Sequence, residues 1–206
     1  MKLFLFDFDG VLVDSLDVYE KTVTDCLIKI NQPLTRGREE FLELFEGNFY
    51  ESLINKGVDM NAFTKASVDI LAQVNFKDIK PMDAVVPVVS ELHKNHCLIV
   101  ISSNESSSIK EALRLFHYDG YFREILGSDF MFSKKDKILY AIKKYQAAPQ
   151  DIYYIGDTTG DIKEGREAGV KTVGITWGWH SKEKMAAAKP DYLFDAPQEL
   201  LQLARL

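Results

Sequence analysis

The hydrophobic positions of this chain fall into two regimes. Short apolar runs on consecutive residues recur at 3–6 (LFLF), 98–102 (LIVIS), 124–126 (EIL), 152–156 (IYYIG) and 171–175 (KTVGI), with 192–194 (YLF) a weaker sixth. A run that is apolar on both parities has both faces covered, which predicts buried parallel strands. Helical patterns lie between them. The stretch 87–95 carries Pro87 at a first helical position, and 106–116 places Ile109, Leu113 and Phe116 on one face behind serines suited to cap it. Residues 161–168 stop at Gly169, and Asp195 with Pro197 opens a last helix. Strand–helix alternation of this kind predicts an α/β fold with a doubly wound parallel sheet.

Between 15 and 81 the pattern changes. Leu16, Tyr19, Val23, Leu27 and Ile30 trace one helical face; Thr35 is placed to cap a helix carrying Phe41, Leu42, Leu44 and Phe45; Asp59 is placed to cap another with Phe63, Ile70 and Leu71. The segment is too long for a crossover connection. It predicts a small all-helical domain, 15–81, inserted into an α/β core formed by 1–14 and 82–206.

Charge narrows the partners. The chain has 206 residues, is 46% hydrophobic and 27% charged, and carries a formal net charge of −6, which argues against nucleic acid or an anionic membrane as an obligatory partner. Cys26 and Cys97 stand among apolar neighbours and read as small core residues. The opening apolar run breaks at Asp7, short of a secretory signal, so a reducing, cytoplasmic location is expected.

The chemistry gathers where the apolar runs end. Asp7 and Asp9 follow the first run, and on a strand their side chains would project to one side about 6–7 Å apart. In open α/β sheets that edge is where ligands bind. A second run, IYYI, ends in GDTTGD with Asp157 and Asp161, and two strands ending in acid suit a hard divalent cation such as Mg²⁺. A third run ends in ISSNESS before a helix, presenting Ser102, Ser103 and free N–H groups to an anion. SKKDK at 133–137 supplies Lys134 or Lys135 as a fixed positive charge. Each element alone has an ordinary structural explanation; the four together do not.

In order and spacing the chain resembles the haloacid dehalogenase superfamily. Its first motif, hhhDxDGhhhDS, is met by LFLFDFDGVLVDS, its second by LIVIS with Ser102, its third by Lys134 and its fourth, hhhhGDxxxD, by IYYIGDTTGD. The helical insertion resembles the C1-type cap of the phosphoglycolate phosphatase-like branch on a Rossmann-like core. The resemblance implies Asp7 as nucleophile, Asp9 as general acid and base, and Mg²⁺ held by Asp7, the Asp9 carbonyl and Asp157, with Asp161 behind them. Ser102 and Lys134 would complete the catalytic set, with Gly10, Ser103 and Asn104 beside the phosphate. That branch often has Lys-Pro where Lys134-Lys135 stand, so the two lysines remain alternatives, as do Ser102 and Ser103. Dehalogenases of the superfamily lack an acid at the Asp9 position because a halide needs no proton; Asp9 therefore points to phosphoryl transfer.

The implied partner is a small phosphorylated metabolite: phosphoglycolate, a sugar phosphate or a nucleotide. Substrate choice is expected in the cap, with Arg36, Arg38, Gly47 and Asn48 as candidates, because Arg suits a carboxylate or second phosphate. A phosphomutase of the β-phosphoglucomutase type and a non-catalytic phospholigand-binding protein are the alternatives. Connections near Val13–Ser15 and Lys80–Asp83 are the expected hinges of cap movement.

Overall fold

The computed structural model describes residues 1–71, 73–74 and 78–206; residues 72 and 75–77 of the expected cap segment lie outside the described residues. Six strands form one sheet: β1 (Leu3–Phe6), β4 (Cys97–Ile101), β5 (Glu124–Leu126), β6 (Ile152–Gly156), β7 (Lys171–Ile175) and β8 (Tyr192–Phe194). Their order is β5-β4-β1-β6-β7-β8, and every pairing is parallel. The site strands are central: β1 lies between β4 and β6, with Phe6 in register with both Val100 and Ile155.

The consecutive apolar runs are explained by the two layers that cover them. Phe4, Phe6, Leu98 and Val100 face a cluster built with α5 (Val86–His93), α6 (Ser106–Leu115) and α10 (Leu200–Leu203). Leu3, Leu5, Ile99, Ile101 and Tyr154 face the opposite cluster, which includes Ile138 and Ala141 of α7 (Lys134–Tyr145). Alternate residues of one strand thus serve different cores. The last expected helix is a single 3-10 turn, Pro197–Glu199, continued by α10; Glu199 accepts from the Asp195 and Ala196 N–H groups, while Asp195 is turned to Thr176 and Lys182.

Residues 16–71 form four helices: α1 (Leu16–Lys29), α2 (Arg38–Glu43), α3 (Phe49–Asn55) and α4 (Met60–Leu71). Val23, Leu27, Phe41, Leu44, Phe49, Leu53 and Phe63 share a cluster of their own. Asp59 accepts from the N–H groups of Asn61 and Ala62 at the start of α4. Thr35 does not cap α2: the helix begins behind Gly37 at φ 56°, and the Thr35 N–H and hydroxyl donate to Glu40 instead. The sequence pattern also passes over α3, which Asn48 caps, and α9 (Lys182–Ala187), which Ser181 caps. A short antiparallel ribbon, β2 (Val13–Asp14) with β3 (Lys80–Pro81), carries the chain out of the α/β core and back. Trp179, from the loop after β7, packs into the cluster of the helical segment.

Candidate active site

β1 ends at Phe6, and the chain turns through 7–10 rather than continuing as a strand. The expected strand spacing of Asp7 and Asp9 therefore does not apply, yet both carboxylates line one cavity at the C-terminal edge of the sheet. Tyr19, Phe45, Ser103, Lys134, Asp157, Thr158 and Trp179 share that cavity. Its volume is about 10 Å³, room for roughly one water. A larger cavity of about 330 Å³ opens at the opposite edge beside Lys2, Cys97 and Tyr145, away from these groups.

Lys134 opens α7 behind its cap Ser133 and stands at the centre of the acids: its Nζ donates to Asp7 Oδ2 and to Asp161 Oδ1, both at 2.7 Å. Lys135 turns outward to Glu167, at 3.4 Å and largely exposed. Of the two lysines, Lys134 is the one that meets the acids. Asp7 Oδ1 accepts the Phe8 N–H at 2.7 Å. Asp9 accepts the Ser15 hydroxyl at 2.7 Å and the Asn104 side-chain amide at 2.8 Å.

Asp157 and Asp161 are both buried but differently satisfied. Asp161 belongs to a capping box with Thr158 at the start of α8 (Thr159–Glu167), and it accepts from Lys134, Tyr154 and Thr158. Asp157 Oδ2 accepts the Trp179 backbone N–H at 2.7 Å, whereas its Oδ1 is buried with no partner. Glycines let the chain close around it. A Cβ on Gly10, at φ 72°, would fall 2.0 Å from Asp157 Oδ2, and one on Gly178 would fall 2.2 Å from Asp157 Cβ.

Burial governs the ionisation of the set. It raises Asp7 to about 7 against the pull of Lys134, and Asp9 to about 6 against the Ser15 hydrogen bond. Asp157 is pushed up by burial and by its neighbours Asp161 and Asp7. Burial also acts on Asp161, but the charge of Lys134 and the hydrogen bonds from Lys134, Thr158 and Tyr154 outweigh it and hold it low. Lys134 is lowered by burial but raised more by Asp161 and Asp7, so it stays charged.

Lys134 thus pairs with Asp7 and Asp161, and the ligand atoms of Asp7, Asp157 and Asp161 lie within 4.8 Å of one another. An acidic oxygen-rich set with an orphaned buried oxygen fits a hard divalent cation.

Other expected residues stand differently. Ser102 is fully buried; its hydroxyl accepts the Asn104 N–H at 3.0 Å and its carbonyl accepts Lys137 Nζ at 2.6 Å. Ser103, not Ser102, lines the cavity, and its carbonyl accepts the Tyr50 hydroxyl at 2.9 Å. The Asn104 N–H is therefore not free for an anion, and the Gly10 N–H is likewise taken, by Val13 O at 2.8 Å. Gly10 serves close approach to Asp157.

The cap candidates are engaged within the protein. Arg36 pairs with Glu39 and Glu43, and Arg38 with Asp17 and Glu20; both are about half exposed and tied within their own helical segment. Asn48 caps α3 and donates to Glu164 Oε1 at 3.2 Å, and the Gly47 carbonyl lies where a Gly160 side chain would be, so both join the helices to α8.

Sequence reasoning missed Thr158, Tyr154, Tyr19 and Lys137 as site residues. The spacing Thr158–Asp161 was readable as a capping box; the others reach the site only through packing. His180 bridges the two parts: its ring accepts from the Thr159 N–H at 3.0 Å and meets Leu42 O at 3.1 Å.

A doubly wound parallel sheet with acids at two strand ends and a lysine between them defines a class, hydrolases built on a Rossmann-like core. The family model for haloacid dehalogenase-like hydrolases matches residues 4–175, and the chain belongs to that family, in its phosphoglycolate phosphatase-like branch. It is 27% identical to the phosphoglycolate phosphatase of Haemophilus influenzae, covering 98% of this chain and 97% of the relative. It is 26% identical to a pyrophosphatase of Anoxybacillus flavithermus, over 97% of this chain and 94% of that protein. In fold it is similar to a structure described as a predicted phosphatase from Clostridium acetobutylicum, with a TM-score of 0.85 at 23% identity over 100% of this chain and 99% of that one.

Proposed function

We propose that this chain is a Mg²⁺-dependent phosphatase that hydrolyses a small phosphate monoester through an aspartyl-phosphate. The observation that carries the reading is the buried set of Asp7, Asp157 and Asp161 around one lysine, with an Asp157 oxygen left without a protein partner. The phosphatases among the similar proteins support it.

A carboxylate oxygen of Asp7 attacks phosphorus as the ester P–O bond breaks, giving the aspartyl-phosphate. Asp9, held at about 6 by burial, gives its proton to the departing alkoxide. It then takes a proton from the water that attacks phosphorus, releasing phosphate and restoring Asp7. Lys134 holds Asp7 in place and offsets charge on the transferring phosphoryl group. Asp7, the Asp9 carbonyl and Asp157 would hold Mg²⁺, which supplies charge neutralisation at the phosphoryl oxygens. Asp161, with its oxygens engaged by Lys134, Tyr154 and Thr158, fixes the lysine.

A cavity this small supports entry of substrate by lifting of the helical segment, with the β2–β3 ribbon as the proposed hinge. The test is phosphate release from a panel of monoesters with and without Mg²⁺, beside Asp7→Asn. Expected is metal-dependent release that falls by more than about 10³-fold in the variant. Release that survives the substitution would sink the assignment of the nucleophile. Turnover only with a bisphosphate activator, and without net phosphate, would indicate a mutase.

A further inference from the structure

The roof of the cavity has a chemical character of its own. Tyr19 and Phe45 come down from the helical segment and Trp179 rises from the loop after β7; all three line the cavity beside Asp7 and Asp9. Their rings touch: Phe45 meets Trp179 edge to face at 4.9 Å, and Tyr19 lies 5.5 Å from Trp179 between ring centres. The five-membered edge of the indole runs over the turn that follows Asp9, since a Cβ on Gly10 would come within 2.9 Å of Trp179 Cδ1.

On that same edge the Trp179 Nε1–H is buried and has no acceptor. A buried donor left unmade is costly, so the site rewards whatever brings an oxygen to it. The arginines that would favour an anionic leaving group are held elsewhere, Arg36 by Glu43 and Arg38 by Asp17 and Glu20. Lys134 lines the same cavity but is engaged by Asp7 and Asp161.

Resting on the phosphatase reading above, we propose that Tyr19, Phe45 and Trp179 form the leaving-group subsite, and that it selects small uncharged alcohols carrying an oxygen that accepts from the Trp179 indole N–H. Aromatic faces favour the apolar part of such a group, and desolvation beneath them disfavours a carboxylate. With the leaving oxygen beside Asp9, which shares the cavity with Trp179, the second oxygen of such an alcohol would be the acceptor for the indole N–H. The preferred ester is therefore an uncharged counterpart of phosphoglycolate rather than phosphoglycolate itself.

Three esters of matched size test this with the Mg²⁺-loaded protein: 2-hydroxyethyl phosphate, ethyl phosphate and 2-phosphoglycolate. Expected is a kcat/KM for 2-hydroxyethyl phosphate roughly 100-fold above 2-phosphoglycolate, with ethyl phosphate between them. Trp179→Phe keeps an aromatic ring and the backbone N–H to Asp157. It should lower the value for 2-hydroxyethyl phosphate by about 10-fold and for ethyl phosphate by less than about 3-fold. Thermal melts verify that the variant is folded.

A second readout does not depend on turnover. In the Asp7→Asn protein the Trp179 indole N–H resonance, identified by its loss in Trp179→Phe, should shift with 2-hydroxyethyl phosphate and stay in place with ethyl phosphate. Preference for 2-phosphoglycolate, equal losses on both uncharged esters, or equal shifts would each overturn the subsite. Including p-nitrophenyl phosphate separates the two levels. If it is hydrolysed while 2-phosphoglycolate is preferred, only the subsite fails; if no ester is hydrolysed, the phosphatase reading fails and takes the subsite with it.

Discussion

The sheet edge and the helical segment use the same charged residue types in opposite ways. At the sheet edge Asp7, Asp9, Asp157 and Asp161 are withdrawn from water around Lys134, which bonds Asp7 and Asp161, while Ser15 and Asn104 hold Asp9 and the Trp179 N–H holds Asp157. In the helices Arg36, Arg38, Lys21 and Lys29 also make ion pairs, with Glu43, Asp17, Asp25 and Asp69, but at the surface. Exposed pairs of that kind contribute little because water and salt screen them, whereas a buried charge must be matched or it destabilises the fold. A fold that tolerates such a costly cluster at one place, and holds an oxygen of it unpartnered, keeps it for chemistry. The helices contribute aromatic surface instead.

Substitutions on the two sides should separate accordingly. The largest effect is expected from Lys134→Met, which removes the cation between Asp7 and Asp161. kcat/KM should fall by about 10³-fold or more, about 4 kcal/mol of transition-state stabilisation. Steady-state phosphate release at saturating Mg²⁺ measures it, and a loss below 10-fold would break the contrast.

Next comes a stability effect with a defined pH sense. Lys137 is fully buried against the Ser102 carbonyl, and burial, reinforced by Lys134, lowers it from 10.5 to about 8. Below pH 8 it is charged in both states and its burial cost is fully present. Between about 8 and 10.5 the unfolded chain binds a proton that the folded chain does not, so its contribution to stability rises with pH. The rise amounts to about 3 kcal/mol at most. Urea unfolding at pH 7.5 and pH 10 should show the wild type gaining relative to Lys137→Met; parallel curves would exclude the mechanism.

Smaller still is the loss from Asn48→Ala, which deletes the α3 cap and the Glu164 contact: about 1 kcal/mol in denaturant unfolding. The smallest is Arg38→Ala, with a change below about 0.5 kcal/mol and phosphate release within about 2-fold of wild type. A large activity loss there would return the arginine to the substrate site and erase the contrast drawn above.

Much of the α/β core was legible because its rules are local. Runs such as LFLF and IYYIG are apolar on both parities, and the two clusters that take up alternate residues of β1 are the direct consequence. GDTTGD places acids at a strand end and a helix start within one short stretch, so their joint position follows from the chain itself. The helical segment was less legible. Its second helix was assigned a Thr35 cap, its third was passed over, and its arginines were turned toward the site, although they pair outward. Surface charge on a short helix carries no periodic signal of which way it faces.

The sequence by itself determined the parallel core, the inserted helices and the acids at two strand ends, because hydrophobic period and residue spacing act over a few residues. Only the tertiary structure decided that Lys134 rather than Lys135 meets Asp7, that Ser103 rather than Ser102 lines the cavity, and that Trp179 enters the helical cluster. Those outcomes depend on which distant groups are buried together, and burial is a property of the packed chain.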